Sequence, residues 1–193
     1  MPQLTESQKT TILVVDVQPA YRHYSDSFVH SLCNFLNTQK GSIHVMYNGE
    51  GLTEDSVEDV AEYLLINGLN PALENINFIE KEYGFLRSWI DTGVPDRIII
   101  KVIRSMAQNL VNDSRELDMN TTLDPAEIAQ LVKLRIDWND DGIYFPYFLN
   151  VPQLKKMSPF YMCGGGRNEC LREIELICNA FNIKYRRIDK FIY

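Results

Sequence analysis

The stretch that decides the fold is TILVVDV (residues 11–17), an apolar run with an acid close to its carboxyl end. The run is rich in β-branched residues and does not alternate between apolar and polar positions, which is typical of a parallel strand buried on both faces. Gln18 and Pro19 follow and end it, because proline cannot donate a hydrogen bond to a sheet. Asp16 is therefore predicted to lie at the end of a buried strand.

Outward from this run, predicted strands and helices alternate along the chain. Strands are predicted at 42–47, 97–103, 160–163 and 185–188, and helices at 27–37, 53–67, 78–90, 124–134 and 168–181. Such alternation predicts an α/β protein: a three-layer, doubly wound fold with a mainly parallel central sheet flanked by helices. We interpret residues 1–193 as a single domain, with an insertion near residues 113–155.

Length, net charge and hydrophobicity limit the kinds of protein that this chain can be. A length of 193 residues suits one domain, and the net charge of -7 favours solubility and argues weakly against nucleic acid as the main partner. Arg186 and Arg187 are the nearest approach to a basic patch. There is no apolar run of membrane-spanning length, and the polar first ten residues argue against a secretory signal. We therefore expect a cytoplasmic protein that does not bind a membrane.

The chain has four cysteines without CxxC spacing, which favours free thiols over disulfides: Cys33, Cys163, Cys170 and Cys178. Cys170 follows a predicted strand and the loop Gly164-Gly165-Gly166-Arg167, on the first turn of a helix that Asn168 is predicted to cap. The helix dipole and its unpaired N–H groups favour a thiolate there, and the glycines let backbone donors approach a ligand. The alternative is a small apolar cysteine that packs a helix against the sheet.

Asp16 and Lys101 are two further candidates for catalysis. An acid that ends an apolar strand is costly unless it is paired or functional, and a lysine inside a buried strand needs a counter-charge. Asp16 could instead be a turn former, and the strand that holds Lys101 could be less buried than its sequence indicates. Together with Cys170 they suit nucleophilic catalysis, with the acid as base, the lysine holding the acid and the thiol attacking.

Three segments resemble the isochorismatase-like cysteine hydrolases, a family that includes nicotinamidase and N-carbamoylsarcosine amidohydrolase: ILVVDVQPAY (12–21), DRIIIKVIRSM (96–106) and CGGGRNECL (163–171). The resemblance implies that Asp16 is the base, Lys101 the catalytic lysine and Cys170 the nucleophile.

The same resemblance implies a cis peptide between Gly165 and Gly166 and an oxyanion hole made by the N–H groups of Gly166 and Cys170. We assign Gly165, Gly166, Gln18 and Arg167 to the surface that binds the oxyanion or the substrate. In the Cys170 loop, Arg167 and Asn168 stand where the family has Thr-Asp.

No metal or cofactor is predicted. The nicotinamidase metal site needs an acid and paired histidines after the second strand, and YNGEGLTED (47–55) has no histidine. His23, His30 and His44 lack metal-ligand spacing. DWNDDG (137–142) matches the first half of a calcium loop, but Phe148 occupies the last ligand position, so a polar turn is the simpler interpretation.

The sequence leaves three hypotheses of function. The first is a cysteine hydrolase that cleaves a C–N bond of a small amide, carbamoyl or ureido substrate through a thioester. The second is a binding or structural protein that keeps the fold without the reaction, a hypothesis motivated by the altered Cys170 loop. The third is a PIN-like metal-dependent nuclease, motivated by Asp16 and by Glu54, Asp55 and Glu58. A homo-oligomer is compatible with each.

Overall fold

The computed structural model describes residues 10–21, 25–49, 53–81, 86–111, 119–136 and 150–193. The chain divides into two compact units. The first comprises Met1–Lys81, Met157–Gly166 and Tyr185–Tyr193, and the second comprises Glu82–Lys156 and Arg167–Lys184. The calcium-loop match at 137–142 lies outside the described residues.

The first unit contains a five-stranded parallel sheet. Its strands are β1 (Thr11–Val15), β2 (Ile43–Tyr47), β3 (Ile76–Glu80), β4 (Phe160–Gly164) and β5 (Tyr185–Ile192). Their order is β3-β2-β1-β4-β5, and every neighbouring pair is parallel. The chain therefore winds outward from β1 in one direction and then in the other, which confirms the prediction of a doubly wound α/β fold with a parallel central sheet.

Helices α1 (Asp26–Leu36) and α2 (Val57–Ile66) belong to the same unit. Each is capped by the serine that precedes it, Ser25 or Ser56, whose side chain accepts a backbone hydrogen bond from the first turn. Both helices bury an apolar face together with the strands in one core, which includes Leu32, Leu64, Val14 and Val45. This core stabilises the parallel sheet. The candidate site lies at the carboxyl ends of the strands of that sheet.

The second unit is helical where the structure describes it. Its helices are α3 (Leu86–Thr92), α4 (Asp96–Val111), α5 (Met119–Thr122), α6 (Pro125–Lys133), α7 (Val151–Met157, whose last residue belongs to the first unit) and α8 (Cys170–Ala180). Helix α4 packs on α8, where the Arg104 Nε donates to the Ala180 carbonyl at 2.7 Å. Asp124 caps α6, as predicted, with Pro125 as its first residue.

The strand predicted at 97–103 is wrong, because these residues form part of α4. The buried side chains of this segment recur at helical spacing: Ile98, Ile99, Val102, Ile103 and Met106. Lys101 and Arg104 fall on the exposed side of the same helix. The 3.6-residue period therefore outweighed the β-branched composition that favoured a strand.

The helix predicted near 78–90 is also wrong, since its first part is the end of β3 and only residues from Leu86 onward are helical. The segment interpreted as an insertion, residues 113–155, contains α5, α6 and most of α7, and its remaining parts lie outside the described ranges. In the described part of the chain, no helix combines the length and apolar character needed to cross a membrane.

Candidate functional site

The candidate site lies in the first unit, at the carboxyl ends of its parallel strands. Asp16 comes directly after β1, and β1 is the strand at which the strand order reverses. Ligands of open α/β sheets bind at the carboxyl ends of the strands near this point. The Asp16 side chain is fully buried, and its φ of 51° lies in the left-handed region. Strained backbone at a buried acid is typical of functional sites.

The buried carboxylate of Asp16 forms an ion pair with a lysine, Lys81. The Lys81 Nζ lies 2.8 Å from Asp16 Oδ2, and the two side chains are 8% and 0% exposed. Lys81 directly follows β3, and its backbone N–H donates to the Tyr47 carbonyl at 2.7 Å, which keeps it beside the end of β2. Its side chain thus brings a positive charge to the acid that ends β1. A buried carboxylate needs such a partner to offset its desolvation.

Hydrogen bonds of the Gln18 side chain connect the ends of β1 and β2 to the segment before α2. Its Oε1 accepts from the Asn48 N–H at 2.7 Å, and its Nε2 donates to the Asn48 carbonyl at 2.9 Å and to Asp55 Oδ2 at 2.7 Å. The side chain is fully buried. Gln18 was predicted to bind substrate, but both polar atoms of its amide are used inside the protein.

Asp55 and Asn48 complete the cluster. Asp55 is 9% exposed, and its Oδ2 also accepts from the Ala20 N–H at 2.9 Å. Asn48 is 2% exposed, and its Nδ2 donates to the Tyr21 hydroxyl at 2.8 Å. Asp55 had been named for the nuclease hypothesis. Asn48 was missed, because Asn48-Gly49 also has the ordinary sequence of a turn that closes a strand.

Lys101 has a different environment from the predicted one. It lies on α4 in the second unit, with its side chain 47% exposed, and its Nζ contacts both carboxylate oxygens of Glu127 at 2.8 and 2.7 Å. Glu127 also belongs to the capping box of α6. The prediction of a lysine within a buried strand is therefore wrong, and the counter-charge that Lys101 needs is supplied by Glu127.

The glycine loop after β4 is fixed by β1. Gly164 has a φ of 94°, and a Cβ there would lie 2.5 Å from the Val15 carbonyl oxygen. The Gly165 N–H donates to the same oxygen at 2.7 Å, so it is not available as an oxyanion donor. The cis peptide expected between Gly165 and Gly166 is wrong, since the cis bond recorded among the described residues is Ser158–Pro159. Gly166 is buried and Arg167 is exposed.

Cys170 is the first residue of α8 and is partly exposed, whereas the other three cysteines are buried. The residue before the helix is Glu169 rather than Asn168, and it makes no side-chain cap hydrogen bond. Burial raises the pKa of the Cys33 thiol to about 11 and of the Cys163 and Cys178 thiols to about 12. Cys170 is therefore the most accessible thiol of the four.

Arg87 of α3 lies near the start of α8. Burial lowers the pKa of its guanidinium, but a hydrogen bond to Asp91 and the negative charges of Glu169, Asp91 and a Cys170 thiolate together raise it. The Arg87 Nη2 is 3.4 Å from Glu169 Oε1. The guanidinium of Arg87 therefore interacts electrostatically with Glu169 and Cys170 at the start of α8.

Side-chain oxygens of the first unit are the candidate ligands for a metal at this site. Among the described residues, no group of three or more His, Cys, Asp or Glu side chains is placed to hold a metal ion. The two buried acids, Asp16 and Asp55, and the Asn48 carboxamide offer hard oxygen atoms at one edge of the sheet. Mg²⁺ is often held by one or two carboxylates together with phosphate oxygens of the substrate.

The chain matches no protein-family model, and no curated protein or solved structure shows significant similarity to it. An assignment of function therefore depends on the chemistry of these residues.

Proposed function

We propose that the first unit is a divalent-cation-dependent phosphodiesterase of the PIN-like nuclease type, with its centre at Asp16. One observation carries the proposal: a fully buried acid with left-handed backbone ends the strand at which the sheet order reverses, and it is paired with the buried Lys81. The carboxyl edge of the sheet at this point is where α/β proteins bind ligands.

Each residue of the site is assigned a different role in phosphodiester hydrolysis. Asp16 and Asp55 would hold a divalent cation through their carboxylate oxygens, and Gln18 fixes the position of Asp55 by its 2.7 Å hydrogen bond. When bound, the cation supplies polarisation of the phosphoryl oxygen and a more acidic water. Lys81 balances the buried negative charge of Asp16. Water forms a bond to phosphorus as the P–O bond to the leaving oxygen breaks. The attacking water releases a proton and the leaving oxygen takes one up, so the products are a phosphate monoester and an alcohol.

The arrangement of strands supports this function. A nuclease needs several carboxylates at adjoining strand ends, and the strand that the sequence predicted around Lys101 would have contributed none. That segment is helix α4, and β2 and β4 are the strands beside β1. The connection after β2 supplies Asp55, whose Oδ2 bonds to Gln18, two residues beyond Asp16.

A cysteine hydrolase remains a second candidate because Cys170 is partly exposed at the start of α8 while the other thiols are buried. In that reaction, the Cys170 thiolate forms a bond to the carbonyl carbon of a small amide, carbamoyl or ureido compound. Ammonia or an amine leaves with a proton, and water then hydrolyses the thioester. The candidate ranks second because Lys101, the lysine that this reaction needs, is paired with Glu127.

The test compares the full-length chain with its Asp16→Asn and Cys170→Ser variants, and with Asp91→Asn as a matched control at an exposed acid. Each is incubated with Mg²⁺ or Mn²⁺ and labelled single-stranded RNA or DNA, and separately with small amides. The proposal expects metal-dependent cleavage of nucleic acid that Asp16→Asn abolishes and the other two variants retain. Amide hydrolysis lost in Cys170→Ser supports the second candidate, and binding of nucleic acid without cleavage supports a non-catalytic binding protein. Either result overturns the proposal.

A further inference from the structure

Asn48 has a buried side-chain oxygen with no hydrogen-bond partner among the described residues. The residue is 2% exposed, and its Nδ2 donates to the Tyr21 hydroxyl at 2.8 Å, whereas its Oδ1 accepts no hydrogen bond from the part of the chain that the structure describes. Buried polar atoms are nearly always paired, and an exception needs an explanation. A ligand that the oxygen binds is one such explanation.

The position of Asn48 is fixed by the residues around it. Its backbone N–H and carbonyl both bond to the Gln18 amide, and its carbonyl also accepts from the Thr53 hydroxyl at 2.5 Å. With Tyr21 holding the Nδ2, the carboxamide has one defined orientation. Pre-organised groups of this kind are typical of binding sites, because no ordering is required when the ligand arrives.

The surroundings of Asn48 favour a cation as the ligand. The Gln18 Nε2 that donates to the Asn48 carbonyl also donates to Asp55 Oδ2, so Asn48 and Asp55 are joined through one nitrogen. Both residues contact the Gln18–Tyr21 segment that follows β1. Amide and carboxylate oxygens are the ligands that hard divalent cations prefer.

We propose that Asn48 Oδ1 is a ligand of the divalent cation, together with the carboxylates of Asp16 and Asp55. The inference rests on the proposed function and adds a neutral oxygen to its two acids. It accounts for a buried carboxamide oxygen that has no hydrogen-bond partner among the described residues.

The test measures Mn²⁺ binding to the full-length chain by the loss of the electron paramagnetic resonance signal of free Mn²⁺, without any nucleic acid. Asn48→Ala is expected to weaken Mn²⁺ binding about tenfold or more. Asn77→Ala is the matched control, since Asn77 lies exposed on β3 of the same sheet, and it is expected to bind as the wild type does.

Asn48→Asp provides the second variant, in case Asn48→Ala does not fold. It keeps an oxygen at the position and adds a charge, so Mn²⁺ binding at least as tight as in the wild type is expected. Wild-type affinity in Asn48→Ala, or weakened binding in Asn48→Asp, overturns the inference and leaves the nuclease proposal standing. No Mn²⁺ binding by the wild type overturns both.

Discussion

Lys81 Nζ lies 2.8 Å from Asp16 Oδ2, and both side chains are removed from water. The pair joins the residue after β3 to the residue after β1. Buried ion pairs add little net stability over apolar contacts, yet loss of one partner is costly. The pair therefore makes the chain sensitive to substitution at either residue.

Lys81→Met is expected to lower the free energy of unfolding by about 3–5 kcal/mol at pH 7, because it leaves the Asp16 carboxylate buried without its partner. Methionine keeps most of the apolar length of the lysine. Urea unfolding followed by circular dichroism measures the change. Asp91→Asn breaks the exposed Arg87–Asp91 pair and is expected to cost no more than about 1 kcal/mol. Equal effects of the two substitutions would show that the Asp16–Lys81 pair has no special role.

Gly164→Ala is expected to destabilise the protein more than Gly93→Ala, by at least about 1 kcal/mol. Both glycines have positive φ, 94° and 81°, so both substitutions introduce backbone strain. At Gly164 the new Cβ also meets backbone atoms of Val15, whereas no atom of the described residues lies within 4 Å of a Cβ at Gly93. Thermal unfolding of the two variants gives the comparison. A larger loss in Gly93→Ala would mean that the glycine loop is not held tightly against β1.

Iodoacetamide at pH 8 is expected to modify Cys170 at least about tenfold faster than Cys33, Cys163 or Cys178, because the reactive species is the thiolate. A raised pKa lowers the thiolate fraction at a given pH. The three buried thiols, with pKa values of about 11, 12 and 12, should therefore react only as the pH approaches those values or as the protein unfolds. Peptide mass spectrometry identifies the labelled residue. Preferential labelling of Cys33 or Cys178 in the folded protein would contradict the burial of these thiols and weaken the cysteine-hydrolase candidate.

Lys101→Met is expected to leave metal-dependent cleavage within about twofold of the wild type and to cost about 1 kcal/mol of stability. The reason is that Lys101 bonds to Glu127, and its half-exposed side chain is screened by water. Cleavage assays and urea unfolding of the same preparation measure the two effects. If a folded Lys101→Met variant loses all hydrolytic activity, Lys101 has the catalytic role that the sequence resemblance implied.

The sequence predicted the fold where local patterns agree with the packing. The apolar runs before Asp16 and Gly164 are parallel strands, and Asp124-Pro125 begins a helix. The prediction failed at 97–103, where isoleucines on one face of α4 were interpreted as a strand. Composition alone cannot distinguish a helix from a strand here, because a buried helix face and a buried strand are made of the same apolar residues.

The candidate site was predicted in part. Asp16 was identified because an acid at the end of an apolar strand is unusual, and Asp55 was named among the acids of the nuclease hypothesis. Lys81 and Asn48 were missed, since their roles depend on which strands are neighbours in the sheet. The order β3-β2-β1 brings them to Asp16 and Gln18, and that order is not readable from one sequence.

The most direct test of the account is cleavage of end-labelled single-stranded RNA and DNA in Mg²⁺ by the wild type and by Asp16→Asn, both shown to be folded by circular dichroism. The account predicts cleavage by the wild type that chelation of Mg²⁺ stops, and a loss of at least about 100-fold in Asp16→Asn, because a cation ligand at the centre is removed. Equal cleavage by a folded Asp16→Asn variant, or no metal-dependent cleavage by the wild type, would contradict it.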